Sequence, residues 1–515
     1  MKFHWKVLLW MAAGVIVGLV LQAATEGKAW AGGSFEATEG GLELVSAVKG
    51  GPLDRSGLSV GDRIDAIALG SATLARRGDG SGEKHWLALG SPADFDAALA
   101  ASSIGELAFL RRPDGTEELV TFAMDPNSSR AAWIEPFHFI ANIFLALLKM
   151  LIVPVILTSI VTGVAGVGGM GDLRRLGGKT FLYYISTSLF AIVAGQILVT
   201  VFHPGTGAVL GLAPLAEGGV APDESFLGVL ERMVPPNVVA ALSDNGKMLQ
   251  VIFFALLFGA FLTRAAEPHR TRVRELFDSL FHVVMGLAEG VLALLPYGVF
   301  ALMVRVVAKT GYAVFEPLLL YMAVVVGALA IHALVTLPIL MRVFGRMSPL
   351  RWAKAMAPAL MTAFSTSSSS MTLPVTLETV EKRGRVSNRV TSFTLPLGAT
   401  INMDGTALYE CIGVVFLAQY YGSAGHFELT LTSQALVVVM ALLASIGAAG
   451  IPSAGLVMML SILAALGLPL EGAALLLAVD RPLDMLRTVV NVWSDTCGAA
   501  IVARTEGESG PLEAG

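Results

Sequence analysis

The hydrocarbon core of a bilayer is about 30 Å thick and takes roughly 20 apolar helical residues to cross. A chain that repeats such runs is committed to lipid as its solvent. Runs of that length recur near residues 5–23, 136–165, 179–203, 246–264, 278–308 and 315–342. Composition agrees: 55% of the 515 residues are hydrophobic and 15% charged, too apolar for a soluble chain of ordinary charge content. The first run, Val7 to Leu21 behind Lys2 and Lys6, has the flanks of a signal peptide but no convincing small-residue cleavage site, and reads as a membrane span. A formal charge of −5 supplies no basic field for nucleic acid. Cys411 and Cys497 both lie in apolar segments, which argues against a disulfide framework or a thiolate metal site.

The last third is built differently. Its apolar segments near 352–380, 391–418, 431–466 and 470–504 are interrupted by Ser, Gly, Pro, Asn and Asp. Broken backbone at membrane depth is tolerated where protein or a water-filled cavity satisfies it, so a binding site is expected there. Lys2/Lys6, Arg174-Arg175 with Lys179, Arg264 to Arg274, and Arg342 to Lys354 mark the cytoplasmic side by the positive-inside rule. Both termini are then cytoplasmic, and residues 24–130 lie outside, which in a bacterium is the periplasm.

That insert has its own character. Leu42 to Val48 alternates as a strand and is followed by Gly-Gly-Pro-Leu-Asp-Arg-Ser-Gly-Leu-Ser-Val-Gly-Asp-Arg-Ile at 50–64, a helix-like segment Pro92 to Ala101 and a closing hairpin around Arg112 to Thr116. Ala75 to Trp86 reads as a polar loop. Over roughly ninety residues the insert resembles a PDZ domain of the bacterial periplasmic type. The resemblance implies a domain that binds chain termini by strand addition, or else a structural module with no ligand.

Asp480, Asp484, Arg487, Thr488, Asn491 and Asp495 fall within a stripe about 100° wide on one helix. Charge at membrane depth is costly and by default marks a substrate or ion pathway. A structural ion-pair network would account for the charges but has no use for the Thr and Asn. Upstream, Gly398-Ala-Thr400-Ile-Asn402-Met-Asp404-Gly-Thr406, followed by Glu410, sets helix-weakening residues beside a carboxylate. Either the helix is kinked for packing, or unwound carbonyls form an oxygen cage for a hard cation. Ser365 to Pro374 and Ser445 to Gly455 each precede one of these polar helices. A broken hairpin followed by a polar helix, occurring twice, reads as an internal repeat converging on one midplane site.

The Asn402-Met-Asp-Gly-Thr406 motif and the Asp484, Arg487-Thr488, Asn491, Asp495 pattern strongly resemble the dicarboxylate/amino acid:cation symporters, the glutamate transporter family, over 5–23 and 130–507. The resemblance implies an all-α polytopic membrane protein with eight transmembrane helices, two re-entrant hairpins in inverted repeats, and the small α+β PDZ-like domain between the first two spans. It divides the chain into a first helix (1–30), the PDZ-like domain (35–125), helices two to six (130–350), a transport core (351–507) and a disordered tail (508–515). It further implies a homotrimer in the inner membrane whose transport domains slide as elevators past a fixed scaffold. Arg487 would grip the substrate's side-chain carboxylate and Asp484 its α-amino group, with Ser369, Thr406, Ile451, Gly455, Thr488 and Asn491 completing the pocket. One Na⁺ site would use Gly398, Asn402, Asn491 and Asp495; a second Thr400, Ser445, Ile446 and Ala448; a third Tyr184, Thr187, Ser188, Asn402 and Asp404.

A guanidinium fork matches a carboxylate and Asp484 attracts an ammonium, so glutamate or aspartate is favoured over the alternative of a C4 dicarboxylate. Three departures stand out. Many relatives carry an additional Arg where this chain has Ser367 or Met485, with Arg481 as the candidate substitute. Ala448 replaces a Thr common in the family. Glu410 stands where proton-coupled members carry an acid, which makes it a candidate proton carrier beside Na⁺. An intramembrane metalloprotease could also carry a periplasmic PDZ domain, but His4, His85, His138, His203, His269, His282, His332 and His426 form no His-Glu-x-x-His motif. A transporter-like sensor reading its PDZ-like domain is the other alternative, and the complete polar stripe argues against it.

Overall fold

The structure is a computed structural model and describes residues 3–69, 85–102, 104–167, 173–208, 210, 212, 231, 233–244, 247–423, 427, 429–447 and 454–509. Helix α1 (Phe3–Ala24) leads into the insert. There β1 (Ala29–Trp30), β2 (Gly33–Thr38), β3 (Gly41–Ala47), β4 (Arg63–Ile64), β5 (Ala66–Leu69), β6 (Leu87–Ala88), α2 (Pro92–Ala101), β7 (Leu107–Arg111), β8 (Glu117–Thr121) and β9 (Ala123–Met124) follow in order. They pair as β1-β9, β2-β3-β4 and β6-β5-β7-β8. Leu42 and Leu44 are fully buried on either side of Glu43, as the period-2 geometry of a strand requires. The glycine-rich motif wraps this core. Leu53, Leu58 and Ile64 point into it, while Gly57 (φ +82°) and Gly61 (φ +98°) take the left-handed turns that a Cβ disfavours. At the start of α2 the Ser91 hydroxyl and amide donate to Asp94, holding its carboxyl below the usual carboxylate range.

The insert closes on itself at the helical body. Its first and last strands pair, Trp30 opposite Ala123, and Arg130 Nη2 donates to the carbonyls of Gln22 and Thr25, each at 2.7 Å. Those carbonyls belong to the end of α1, where no further helical N–H can reach them.

The longer helices of the body are α3 (Ser129–Val167), α4 (Leu173–Phe202), α5 (Met248–Leu262), α6 (His269–Leu292), α7 (Leu295–Thr310), α8 (Phe315–Ile331), α9 (Pro349–Thr366), α10 (Ser369–Lys382), α11 (Asn388–Ile401), α12 (Asp404–Ser423), α13 (Leu431–Gly447), α14 (Ala454–Ala465) and α15 (Glu471–Thr505). By length and apolarity, five segments among the described residues can cross a membrane: Trp5–Ala24, Ser129–Ala165, Arg175–Phe202, Leu295–Gly345 and Asn388–Ser423. Gln250–Leu262 and Leu431–Ser445 are shorter apolar helices. The run 278–308, read from sequence as one continuous apolar stretch, is two helices. The chain turns at Ala293 and Leu294, and Pro296 in the first turn of α7 needs no N–H partner there.

Helix α8 runs on through two wide π-type turns, His332–Thr336 and Met341–Gly345, on either side of Pro338, which cannot donate to the helical ladder. Helices α9 and α10 form a hairpin whose tip places Ser367 in the left-handed region (φ +51°). Ser368 then caps α10 by accepting from the Met371 amide at 3.2 Å. Helices α13 and α14 form the arms of the second interrupted segment; residues 448–453 between them lie outside the described residues. Helices α11 and α12 are separated by Asn402 and Met403, and α15 passes through Pro482 unbroken. Asp404 to Tyr421 of α12 are all buried. This helix is the axis of the body, packed by α4, α8, α13, α14 and α15, and it carries polar groups into the centre.

Candidate functional site

Arg487 organises one half of the site. Its side chain is fully buried, and Nη2 donates to Asp480 Oδ1 at 2.9 Å and Asp484 Oδ1 at 2.8 Å. The spacings of seven and three residues put all three on one face of α15. Asp484 is held from the other side by Arg481 Nη1 at 3.1 Å. The guanidinium carbon of Arg487 lies 3.7 Å from the centroid of the Tyr409 ring, so an aromatic face from α12 offsets part of its desolvation. Among the described residues, Nε and Nη1 meet no acceptor. Burying a donor without a partner costs about 1–3 kcal/mol, more for a charged group, and such a cost persists where a ligand supplies the missing acceptor.

Residues of α12 and α14 lie around those donors. A Cβ built on Gly455 of α14 would lie 3.0 Å from Arg487 Nη1, 2.8 Å from Thr406 Cγ2 and 3.6 Å from Glu410 Oε1. Glycine there lets α14 approach the guanidinium, and a methyl group would crowd it. Both Glu410 oxygens are buried and, among the described residues, meet no hydrogen-bond partner. Asn491 ties α12 to α15, accepting from the Gly405 amide at 2.8 Å and donating to Thr406 Oγ1 at 3.2 Å. Thr488 returns its hydroxyl to the Asp484 carbonyl at 2.8 Å, and Ser369 is buried at the start of α10.

A second polar cluster lies one to two turns further along α15. Asn402 Nδ2 donates to Asp495 Oδ1 at 2.9 Å and to Ser494 Oγ at 3.0 Å. Ser494 Oγ donates to Asp404 Oδ2 and Ser188 Oγ to Asp404 Oδ1, both at 2.6 Å. Thr187 Oγ1 donates to Asn402 Oδ1 at 3.3 Å, and the Tyr184 hydroxyl to the Thr394 carbonyl at 2.7 Å. A Cβ on Gly398 would overlap Asp495 Oδ1 and come within 2.7 Å of the Tyr184 hydroxyl. Two carboxylates, an amide oxygen and hydroxyls from α4, α11, α12 and α15 thus converge, the oxygen-rich composition that a hard cation takes.

Tyr184, Thr187, Ser188, Gly398, Asn402, Asp404 and Asp495 are therefore joined by this network or its immediate contacts, whereas Asn491 bonds Gly405 and Thr406 in the first cluster. Thr400 and Ser445 turn their hydroxyls back on their own helices, to the Leu397 carbonyl at 2.9 Å and the Leu442 carbonyl at 2.8 Å, and Ile446 lies in α13 beside Ser445. Ala448 and Ile451 lie outside the described residues. Three participants were not singled out from the sequence as site residues. His332 Nε2 meets Asp404 Oδ2 at 3.0 Å, Ser494 links Asn402 to Asp404, and Tyr409 stacks on Arg487. A lone ionisable His inside an apolar span was the available signal for the first. A Ser and a Tyr in a helix carried none.

A membrane protein with its charged side chains drawn into one buried site between broken helices has the architecture of a secondary transporter. The model of the Sodium:dicarboxylate symporter family matches residues 120–505, and the chain belongs to that family, which comprises symporters and not enzymes. It is 34% identical to Excitatory amino acid transporter 3 of Mus musculus over 420 residues, covering 72% of this chain and 79% of that protein. It is also 34% identical to the Proton/glutamate-aspartate symporter of Escherichia coli (strain K12) over 376 residues, covering 71% and 84%. Against the Proton/sodium-glutamate symport protein of Geobacillus stearothermophilus the figures are 32% over 391 residues, 74% and 90%.

Proposed function

We propose that the protein is a secondary active symporter that imports glutamate or aspartate across the bacterial inner membrane, driven by Na⁺ and H⁺. The observation that carries this reading is the buried Arg487 guanidinium, balanced by Asp480 and Asp484 yet with Nε and Nη1 unmet among the described residues. The substrate's side-chain carboxylate takes those donors, and its α-ammonium is drawn to Asp484. Ser369, Thr406, Ile451, Gly455, Thr488 and Asn491 line the pocket. The relatives' names, which specify glutamate and aspartate with protons or sodium, support the same substrate and ions. A C4 dicarboxylate would leave Asp484 facing no ammonium, which weighs against that alternative.

Na⁺ is held at three sites: Gly398, Asn402, Asn491 and Asp495 form one, Thr400, Ser445, Ile446 and Ala448 a second, and Tyr184, Thr187, Ser188, Asn402 and Asp404 a third. Glu410, unpaired among the described residues and close, like Arg487, to Gly455, is the proton carrier. The two hairpins are re-entrant, and eight spans assemble as a homotrimer in which each transport core (351–507) slides past the scaffold. The insert is periplasmic and PDZ-like. Because β2 ends its sheet, a peptide terminus pairs along its open edge beside α2. Phe35 of β2 and Phe95 of α2, with ring centroids 4.7 Å apart, form the floor of that groove.

Uptake of labelled aspartate into proteoliposomes, with Na⁺ and H⁺ gradients imposed separately, tests the reading. Either gradient should drive accumulation in the parent protein, and the H⁺ response should vanish in Glu410→Gln. Absence of gradient-driven uptake would leave the transporter-like sensor as the better account.

A further inference from the structure

On the outer flank of the polar core, away from the clusters described above, α8, α9 and α15 enclose an apolar cavity of about 380 Å³. That volume falls within the roughly 300–1,000 Å³ of small-molecule sites. Leu334 and Pro338 line it from the extension of α8, Leu350 and Ala353 from α9, and Val489 and Trp493 from α15. At its mouth Leu334 is 74% and Leu350 67% exposed, and Ile339, Val343 and Met361 are also exposed on the same helices. Leu334 to Val343 belong to a membrane-crossing segment, so lipid is the fluid that meets this face.

The rim adds charge to the hydrocarbon wall. Arg351 and Lys354, both exposed, flank Leu350 and Ala353 in the first turns of α9, and exposed Arg342 and Arg346 lie at the adjoining end of the α8 extension. Four cations beside an apolar slot complement a lipid with a net negative headgroup.

We propose that this cavity is a binding site for an anionic phospholipid, one acyl chain occupying the slot and the headgroup phosphate meeting Arg351 and Lys354. The seat is coupled to the polar core. Trp493 Nε1 donates to the Ala333 carbonyl at 3.1 Å, joining two walls of the slot. Their chain neighbours Ser494 and His332 both bond Asp404 Oδ2, at 2.6 and 3.0 Å. Val489 and Trp493 are on the flank of α15 turned away from Thr488, Asn491 and Asp495. An acyl chain in the slot therefore supports the helices that hold Asp404 from behind.

Trp493 makes the site observable without any transport measurement. The full-length protein is placed in bilayers containing a small fraction of brominated phosphatidylglycerol or of brominated phosphatidylcholine, and the quenching lost in Trp493→Phe is assigned to Trp493. That component should be at least twofold larger for the brominated phosphatidylglycerol. The preference should disappear in the double variant Arg351→Ala/Lys354→Ala, and the component itself should fall severalfold in Ala353→Phe, which fills the slot. Ala353→Leu, a smaller filling, should give an intermediate loss and guards against misfolding of the larger variant. Native mass spectrometry of the same proteins should show retained phosphatidylglycerol declining in the same order. Equal quenching by the two brominated lipids means ordinary contact with bulk bilayer and overturns the proposal, as does Trp493 quenching that survives both fillings at Ala353.

Discussion

On the proposed reading, Arg487 commits a buried site to an acidic substrate. A guanidinium in a low-dielectric interior must be compensated, and Asp480, Asp484 and the Tyr409 face do so. Breaking a buried charged pair costs about 3–5 kcal/mol, or several hundredfold in affinity. Arg487→Thr should therefore lose aspartate affinity by that order while Asp484, still paired with Arg481, continues to attract an α-ammonium. Serine, alanine or cysteine should then compete with labelled aspartate where they did not in the parent. Unchanged preference for aspartate in the variant would remove Arg487 from carboxylate recognition. At the second cluster, Asp495→Asn keeps the shape and removes a charge that offsets cation dehydration. Half-saturating Na⁺ should rise tenfold or more, and an unaltered Na⁺ dependence would exclude Asp495 as a ligand.

At the scale of elements, the features that matter are interruptions. Asn402 and Met403 end α11 and let α12 begin with Asp404 already inside the body. Gly398, one turn earlier, allows Asp495 and Tyr184 to close over α11. Gly398→Ala adds a methyl group where those oxygens lie, so Na⁺ affinity should drop at least tenfold and the thermal midpoint in detergent without Na⁺ should fall as well, since overpacking a buried site costs about 1–3 kcal/mol. Equal Na⁺ affinity in parent and variant would show that the cluster tolerates the methyl and that the close approach is incidental. The insert is a separable element by the same kind of reasoning. Its core draws on Leu42, Leu44, Ile64, Phe95 and Leu110 within its own sheets and α2 and on Leu53 of the short helix Pro52–Arg55, and its ends leave side by side through the β1-β9 pair. Replacing 36–124 with a flexible linker should leave basal uptake within about twofold of the parent. Complete loss of uptake in a correctly assembled variant would show that the insert takes part in the transport cycle.

For the whole molecule, the distribution of Lys and Arg sets which side each loop occupies. A protease site placed at Asp79, which lies outside the described residues, should be cut in intact spheroplasts. Protection until lysis would invert the topology. The membrane class is legible along the chain, in apolar runs matched to bilayer thickness, and so is the likeness of the insert's Gly50–Ile64 motif to a known domain. The polar stripe on α15 is legible too, because a 100° helical step needs no tertiary information. The partners of the buried polar groups are not. His332, Ser494 and Tyr409 sit on α8, α15 and α12, and nothing local shows that the first two meet Asp404 or that the third covers Arg487. The division of 278–308 into α6 and α7 escaped a hydropathy reading for a related reason. Hydropathy averages over the turn at Ala293 and Leu294, whereas packing against α3 fixes where the chain bends. Period and hydropathy are properties of neighbours along the chain; a buried charge is stabilised by neighbours in space, and those are assigned when the helices pack.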